Sequence, residues 1–553
     1  MFFVLNLIAD SVNLKMKNHT AKTKRFLFTG IFFIFLFSTQ AQNWQWAIKG
    51  ESSRNITSDA SVIDRNGNSL IAGTFSDSIS FGTTTLANPG LRSVYVANFD
   101  VNSNLIWAKI VAYDSSLSVN EIIVYPSGDF SITGQFYDTI TVGQSPSLQL
   151  TSAGNQDLYL ARFDSLGNFL WAKSIGGTGI DFAGGISADN LENTFLSGDL
   201  HITSFPYSGS KIFLNKYDIS GNLIWSQVEP AFGNNHFSSA IKCDDFGNCY
   251  VVGEFFNHIE FDSGDSIDAG NVELNGFVIK FDPLGNYVWG KTIGAASGYC
   301  GNQSIEIDQS GNCYMSGFYH GTISFGTIAL TSAPSSSYEV FIAKCDSDGN
   351  FIWATSTSGS SINGGLSIND FGAIYICGNF SQTIGIGQTV LTSQGEMDCF
   401  IAKLNSSGNF EWAIEYGGSQ NDLVNGIITN QSELYLCGTF TGEMNFGSAL
   451  TLYGNDTITS KSYLAKLDIT SDIFQAEHLQ NVKVFPCPAI NTIKVTTEYS
   501  GKCSTVIFDV SGKEIMHQST TDFINIEKLT PGIYILKLFN GSQYEGSTRF
   551  IKN

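Results

Sequence analysis

Positive charge is scarce in this chain. Its 553 residues hold 29 Lys and Arg against 50 Asp and Glu, a formal net charge of -21. Such a chain repels phosphate backbones and anionic bilayers, which excludes nucleic acid and acidic membrane surfaces as partners. No cysteine precedes Cys243, and the ten that begin there include no CxxC pair, which argues against a zinc site. Catalytic signatures are missing too: there is no HExxH, no GxSxG, no phosphate-binding loop and no EF-hand loop. The string Gly176-Gly-Thr-Gly179 is followed by no helix, so it is not read as a nucleotide cradle. No stretch is long and periodic enough to read as a helix.

Aromatics, glycine and repetition are abundant. An acid or amide, two residues, Gly-Asn, two residues and Trp recur at Asp164–Trp171, Asp218–Trp225, Asp282–Trp289, Asp346–Trp353 and Asn405–Trp412. A variant with Ser in place of Gly runs from Asp100 to Trp107. Together with Trp46, these tryptophans mark seven units of about sixty residues. Each unit carries a second marker glycine: Gly73, Gly134, Gly198, Gly253, Gly317, Gly378 and Gly438. A third marker is an aromatic-led strand, as in Tyr159-Leu-Ala-Arg-Phe-Asp164 and Phe277 to Asp282.

Short Val-, Ile- and aromatic-rich segments between Gly-Asn turns read as β-hairpins, two per unit. Four strands per unit at this period make a propeller blade, and seven units make seven blades. The strand before Asp244 is expected innermost, the Tyr250–Gly253 strand second, the Phe277–Asp282 strand third and the Trp289 strand outermost. The last unit has no successor to supply its outer strand. Trp44-Gln-Trp46-Ala-Ile-Lys at the chain start is expected to dock there, beside Tyr463–Asp468, and close the ring.

This pattern resembles the β-propeller repeats of secreted bacterial proteins over about residues 44–470, a likeness that implies a fold and names no activity. From Asn481 the pattern changes. Pro486-Cys-Pro488, Asp509-Val-Ser-Gly512-Lys and Pro531-Gly532-Ile-Tyr534 resemble the C-terminal sorting domain of cargo of the type IX secretion system, although Cys487 stands where that family carries Asn. The resemblance implies that the type IX secretion machinery is a partner. It also implies that the domain is removed after export, leaving the passenger released or attached to surface glycolipid. The N-terminus agrees: a basic region (Lys15 to Arg25) precedes the apolar run Phe26–Phe37, which is too short to cross a bilayer. Thr39-Gln-Ala41 then places signal cleavage between Ala41 and Gln42. Met16 is an alternative start.

The expected organisation is all-β: a signal peptide (1–41), a seven-bladed β-propeller (42–470), a linker (471–481) and a small β-sandwich (482–553). The chain should reach the cell surface or exterior as a monomeric passenger with no transmembrane span. Export permits disulfides; Cys243 and Cys249 flank one hairpin turn, and buried free thiols are the alternative. No cofactor is expected. The turn Asp346-Ser-Asp-Gly-Asn350 resembles a calcium loop but offers too few oxygens. Basic residues in the third strands (Arg162, Lys216, Lys280, Lys344, Lys403 and Lys466) read either as a ring for an acidic glycan or as structural partners of neighbouring acids. The loop from Gly198 to Phe213 spans 15 positions against 22 from Gly73 to Tyr95, which breaks the symmetry at the third blade and suggests a side opening.

Five residues before the first apolar position of the inner strand stand Asp181, His236, Cys300 and Asp422. Asp181, His236 and Asp422 are expected to reach a polar ligand at the funnel; the alternative is that each caps its own turn. Three functions stay open: a binding or adhesion protein for a glycan or protein ligand, an exported polysaccharide-acting hydrolase or lyase, and a structural surface component. Deleting residues 482–553 should trap the passenger in the periplasm, which cell fractionation reads directly; normal surface delivery of the truncation would refute the sorting role.

Overall fold

The computed structural model describes residues 43–469, except 115, 203–208, 229–235, 262, 271–272, 335–337, 370, 431 and 448–449. Beyond these it describes 483–485, 489–496, 504–509, 514–519, 523–540 and 543–552. The signal segment with Ala41 and Gln42, the linker 471–481, and Pro486, Pro488 and Gly512 lie outside the described residues.

Residues 43–469 form seven four-stranded antiparallel units: three separate sheets and two eight-stranded ones that each join two blades. One join is the pairing of Ala112 with Val142, the other the single long strand Tyr287–Ile307. In the fourth blade the order from the axis outward is His236–Cys243, Cys249–Phe255, Asn275–Phe281, then the start of Tyr287–Ile307. That is the order the hairpin spacing predicts.

The marker residues meet in space. In every blade the second-strand glycine pairs directly with the aromatic that leads the third strand, as in Gly253 with Phe277 and Gly438 with Tyr463. At Gly253 an added Cβ would lie 1.9 Å from the Phe237 carbonyl oxygen and 2.8 Å from the Phe277 ring. The carbonyl stands there because the inner strand bulges at that level, between Ser238 and Ala240. Equivalent bulges interrupt the inner strands at 183–185, 302–304, 363–365 and 424–426. The rings themselves are buried, Phe277 and Tyr463 completely, so each contributes roughly 2–3 kcal/mol of apolar burial.

The Trp signature is a hook between blades. The Asp carboxylate closes its own turn: Asp282 Oδ1 accepts the N–H groups of Leu284 and Asn286, and Oδ2 accepts the Asn286 amide. The turn glycine, Gly285, has φ +86° and lies under the Trp225 indole of the preceding blade, where a Cβ would sit 3.0 Å from ring atoms. Trp225 Nε1 donates to Pro283 O at 3.2 Å, and Trp171, Trp289 and Trp353 bind the next turn in the same way.

The ring closes through the N-terminal strand Asn43–Gly50, which pairs antiparallel with Lys461–Asp468, Trp46 opposite Lys466. Trp46 Nε1 then donates to Val101 O in the first blade at 3.2 Å. The turn it hooks holds Ser103 at φ +68°, the variant copy of the signature.

The C-terminal segment forms two sheets. One is Lys483–Phe485, Thr492–Thr496 and Phe523–Asn525; the other is Glu514–Ser519, Ser504–Asp509, Gly532–Asn540 and Gln543–Lys552. Ile493, Ile507, Ile524 and Leu536 share a core, as expected of a small sandwich. Tyr534 donates its hydroxyl to Thr530 O at 2.8 Å, tying down the turn that carries Pro531 and Gly532.

Trp46→Ala should cost about 3 kcal/mol, from lost burial and a lost inter-blade hydrogen bond, and chemical denaturation should record it. Deleting Asn43–Gly50 should abolish the single cooperative transition of the propeller.

Candidate functional site

All seven inner strands line an axial cavity of about 430 Å3. Asn120, Gln303 and Asn425 stand exposed at its mouth, with half-buried Asp59, Ser239 and Asn363 beside them. All but Asn363, which directly precedes its strand's bulge, occupy the bulge position of their strands or its equivalent. Two are fixed by the neighbouring blade: Asn120 Nδ2 donates to Ala183 O at 2.8 Å and Asn425 Nδ2 to Ser58 O at 3.0 Å. Where the third and sixth blades carry Gly184 and Gly364, the next blade's carbonyl occupies that space directly, 2.6 Å from a Cβ on Gly184 and 2.8 Å from one on Gly364.

Three residues further along the strands the cavity has two sides. Ile428, Val62 and Ile123 present an apolar arc on three adjacent blades. Opposite them Lys242 Nζ lies 2.9 Å from both Glu306 carboxylate oxygens. Glu121 reaches across the third blade, its Oε2 accepting Ile186 N–H at 2.7 Å, in space that exists because Gly185 has no Cβ. Burial pushes the Glu121 carboxyl up to about 7, with Glu306 adding repulsion, and burial pushes Asp59 up to about 6. Lys242 is raised: burial pulls it down, but Glu306 and then Glu121 outweigh that.

The residues expected at the funnel are placed elsewhere. Asp181, His236 and Asp422 are 0%, 1% and 0% exposed, on three different blades, and none lines the cavity. Asp181 accepts Gly177 N–H and His201 N–H, holding the loop that enters the first strand of its blade against the end of the second strand. Asp422 accepts Gly418 N–H at 2.5 Å; burial and then the Asp398 carboxylate raise it to about 8. His236 Nε2 lies 3.2 Å from Phe256 O. The bulge intervenes between these positions and the channel-facing ones and reverses the side-chain alternation. The mouth amides and the Glu121–Lys242–Glu306 group escaped the sequence reading. The signal that could have found them is a polar residue two before the aligned inner-strand apolar position, as in Asn120, Gln303 and Asn425, or adjacent to it, as in Glu121, Lys242 and Glu306.

The basic third-strand residues are structural. Arg162, fully buried, stacks on Tyr125 at 3.8 Å and binds Glu192 and Asp129. Lys216 pairs with Asp189, Lys403 with Glu411 and Lys466 with Glu433, while Lys280 and Lys344 lie over Tyr250 and Tyr314. The eight described cysteines are free, although Cys243 and Cys249 face each other across one hairpin with sulfurs 2.6 Å apart. Among the described residues no group of three or more His, Cys, Asp and Glu side chains is placed to hold a metal ion.

Comparison with known proteins identifies the C-terminal part. Residues 483–553 match the family model of the secretion system C-terminal sorting domain. The segment is a type IX sorting domain. The protein is therefore exported, to the exterior or the cell surface. An uncharacterized WD repeat-containing protein of Acanthamoeba polyphaga mimivirus is 23% identical over 424 residues, covering 62% of this chain but only 30% of that relative. Among solved structures, polysaccharide lyase Uly1 (TM-score 0.42, 10% identity, 78% of this chain and 100% of that one) is similar. So is a catalytically inactive virginiamycin B lyase from Staphylococcus aureus (TM-score 0.39, 9% identity, 76% and 98%). No helix among the described residues is long and apolar enough to cross a membrane.

The raised carboxyls set a pH dependence. Between the unfolded value near 4 and the folded values of about 6 to 8, the folded state holds protons that the unfolded state has released. Stability should therefore fall as pH rises from 5 to 8, by roughly 1–3 kcal/mol per group. Denaturant midpoints at the two pH values test this, and Glu121→Gln should flatten the slope.

Proposed function

We propose that this protein is an exported binding module whose axial mouth holds a neutral, hydroxyl-rich ligand, a carbohydrate. The observation that carries this reading is the set of exposed amides Asn120, Gln303 and Asn425 around one opening, two of them anchored on the next blade. An amide offers a donor and an acceptor side by side, which suits pairs of sugar hydroxyls. Anchoring removes rotamer freedom before the ligand arrives and so lowers the cost of binding. Asp181, His236 and Asp422 act in this reading by setting the loops that surround the mouth.

The test is a glycan array probed with the passenger, followed by titration of whatever binds. Gln303→Ala and Asn425→Ala should each weaken binding about tenfold, without substrate cleavage. Unchanged affinity in both would move the site away from the channel. Release of new sugar ends would instead favour a polysaccharide-acting enzyme, with Glu121 and Glu306 as the carboxyls to mutate.

A further inference from the structure

The third blade breaks the symmetry at a place where the structure holds a second cavity. In the first, fourth, fifth, sixth and seventh blades a small hairpin follows the second strand, as in Thr383–Ile386 with Thr389–Thr392. Its second strand packs on the outer strand of the same blade, Phe410–Tyr416 in that case. In the third blade Ile202 pairs directly with Gly209, so only residues 203–208 separate the two strands and the described residues form no such hairpin. Among the described residues no hairpin covers the end of the outer strand Leu223–Val228, and Val228 is 41% exposed.

A second difference lies beside it. Two residues after their signature Trp, the first, second and fourth blades carry Lys109, Lys173 and Lys291. Lys109 reaches Asn168 of the next turn at 2.9 Å, and Lys291 lies along Gly349 of the next turn, close enough that a Cβ there would meet its Cε at 2.7 Å. The third blade has Gln227 at this position, too short to lie across Gly285 and Asn286 in the same way.

Between the third and fourth blades these changes leave a cavity of about 280 Å3. Ile212 and Leu214 form one wall, and Ile259, Phe261, Phe281 and Tyr287 the other. Phe261 and Tyr287 stack with centroids 4.1 Å apart, and Phe281 meets Phe261 edge-on at 6.2 Å. Glu260 is the one charged side chain in the described lining, which includes no cation. An anionic amphiphile would meet repulsion here.

We infer that this side pocket is a binding site for a neutral aromatic molecule of about two fused rings, separate from the axial mouth. The size follows from the volume: a dry cavity of about 150 Å3 takes one benzene ring. The aromatic walls offer edge-to-face and stacked contacts to such a guest, and the rim residues Gln227, Ser263 and Asn286 can orient one polar substituent.

The experiment titrates the purified full chain with 1-naphthylamine, a neutral two-ring probe whose emission shifts on leaving water. One saturable site is expected, with a dissociation constant on the order of 10 μM. Val228→Trp should fill the pocket, and Gln227→Lys should lay a stem across Gly285 as Lys291 does across Gly349. Each should weaken the probe at least tenfold with an unchanged melting temperature. Val390→Trp, on the remote and exposed hairpin strand Thr389–Thr392, should bind as the parent does. Absence of saturable binding, full binding in both pocket variants, or equal loss in Val390→Trp would overturn the assignment.

Discussion

The interaction on which the propeller depends is the indole of one blade lying over the turn glycine of the next. A single four-stranded blade cannot bury both of its faces, and stability comes from stacking on neighbours. The hook makes that stacking specific. Its apolar part covers a position where no side chain fits, and its N–H satisfies a carbonyl that the turn would otherwise leave to water. The Asp–Asn pairing within the Asp-led turns holds the carbonyl in place. At Asp100 and Asp218 the Asn amide and the turn's N–H groups hold the carboxyl below its ordinary value, so this support is fully present at neutral pH and is lost only as pH falls below about 4. Closure uses the same device once more, with Trp46 joining residues from the two ends of the ring.

The inner-strand bulges link scaffold to site. Each inserts one residue at the level of the channel mouth and turns a carbonyl toward the second strand, which is why that strand carries glycine opposite an aromatic. The inserted residue is the one that faces the opening. In Asn120 and Asn425 it both ties blade to blade and presents an amide to the channel. The residues that make the ring rigid are thus the residues that make its mouth polar.

Few positive charges are available, and most of those in the blades are spent internally. Arg162, Lys216 and Lys466 hold buried or half-buried acids and stack on aromatics, and Lys403 pairs with the more exposed Glu411. Removing one partner of such a pair leaves an uncompensated charge, which is far costlier than losing a surface pair. What remains at the opening is largely neutral and hydrogen-bonding, and the side pocket is apolar. The two cavities therefore suit ligands of different chemistry on one scaffold.

The sequence by itself determined the repeat, the strand order, the docking of the Trp46 strand on the last blade and the sorting domain. Each depends on residues close together in one unit, or on a unit lacking its successor, and both can be read from spacing. Tertiary structure decided where polar side chains point. Asp181, His236 and Asp422 were placed at the funnel by counting back from an apolar position, but the bulge adds a residue and reverses the alternation, so they turn into their own loops. Glu121 finds its place through Gly185, Lys242 through Glu306, and the side pocket through Gln227 lying opposite Gly285, each about sixty residues away in the next blade. A period reveals the phase of a residue within its blade. Which atoms of the neighbouring blade stand against it is fixed only when the ring closes.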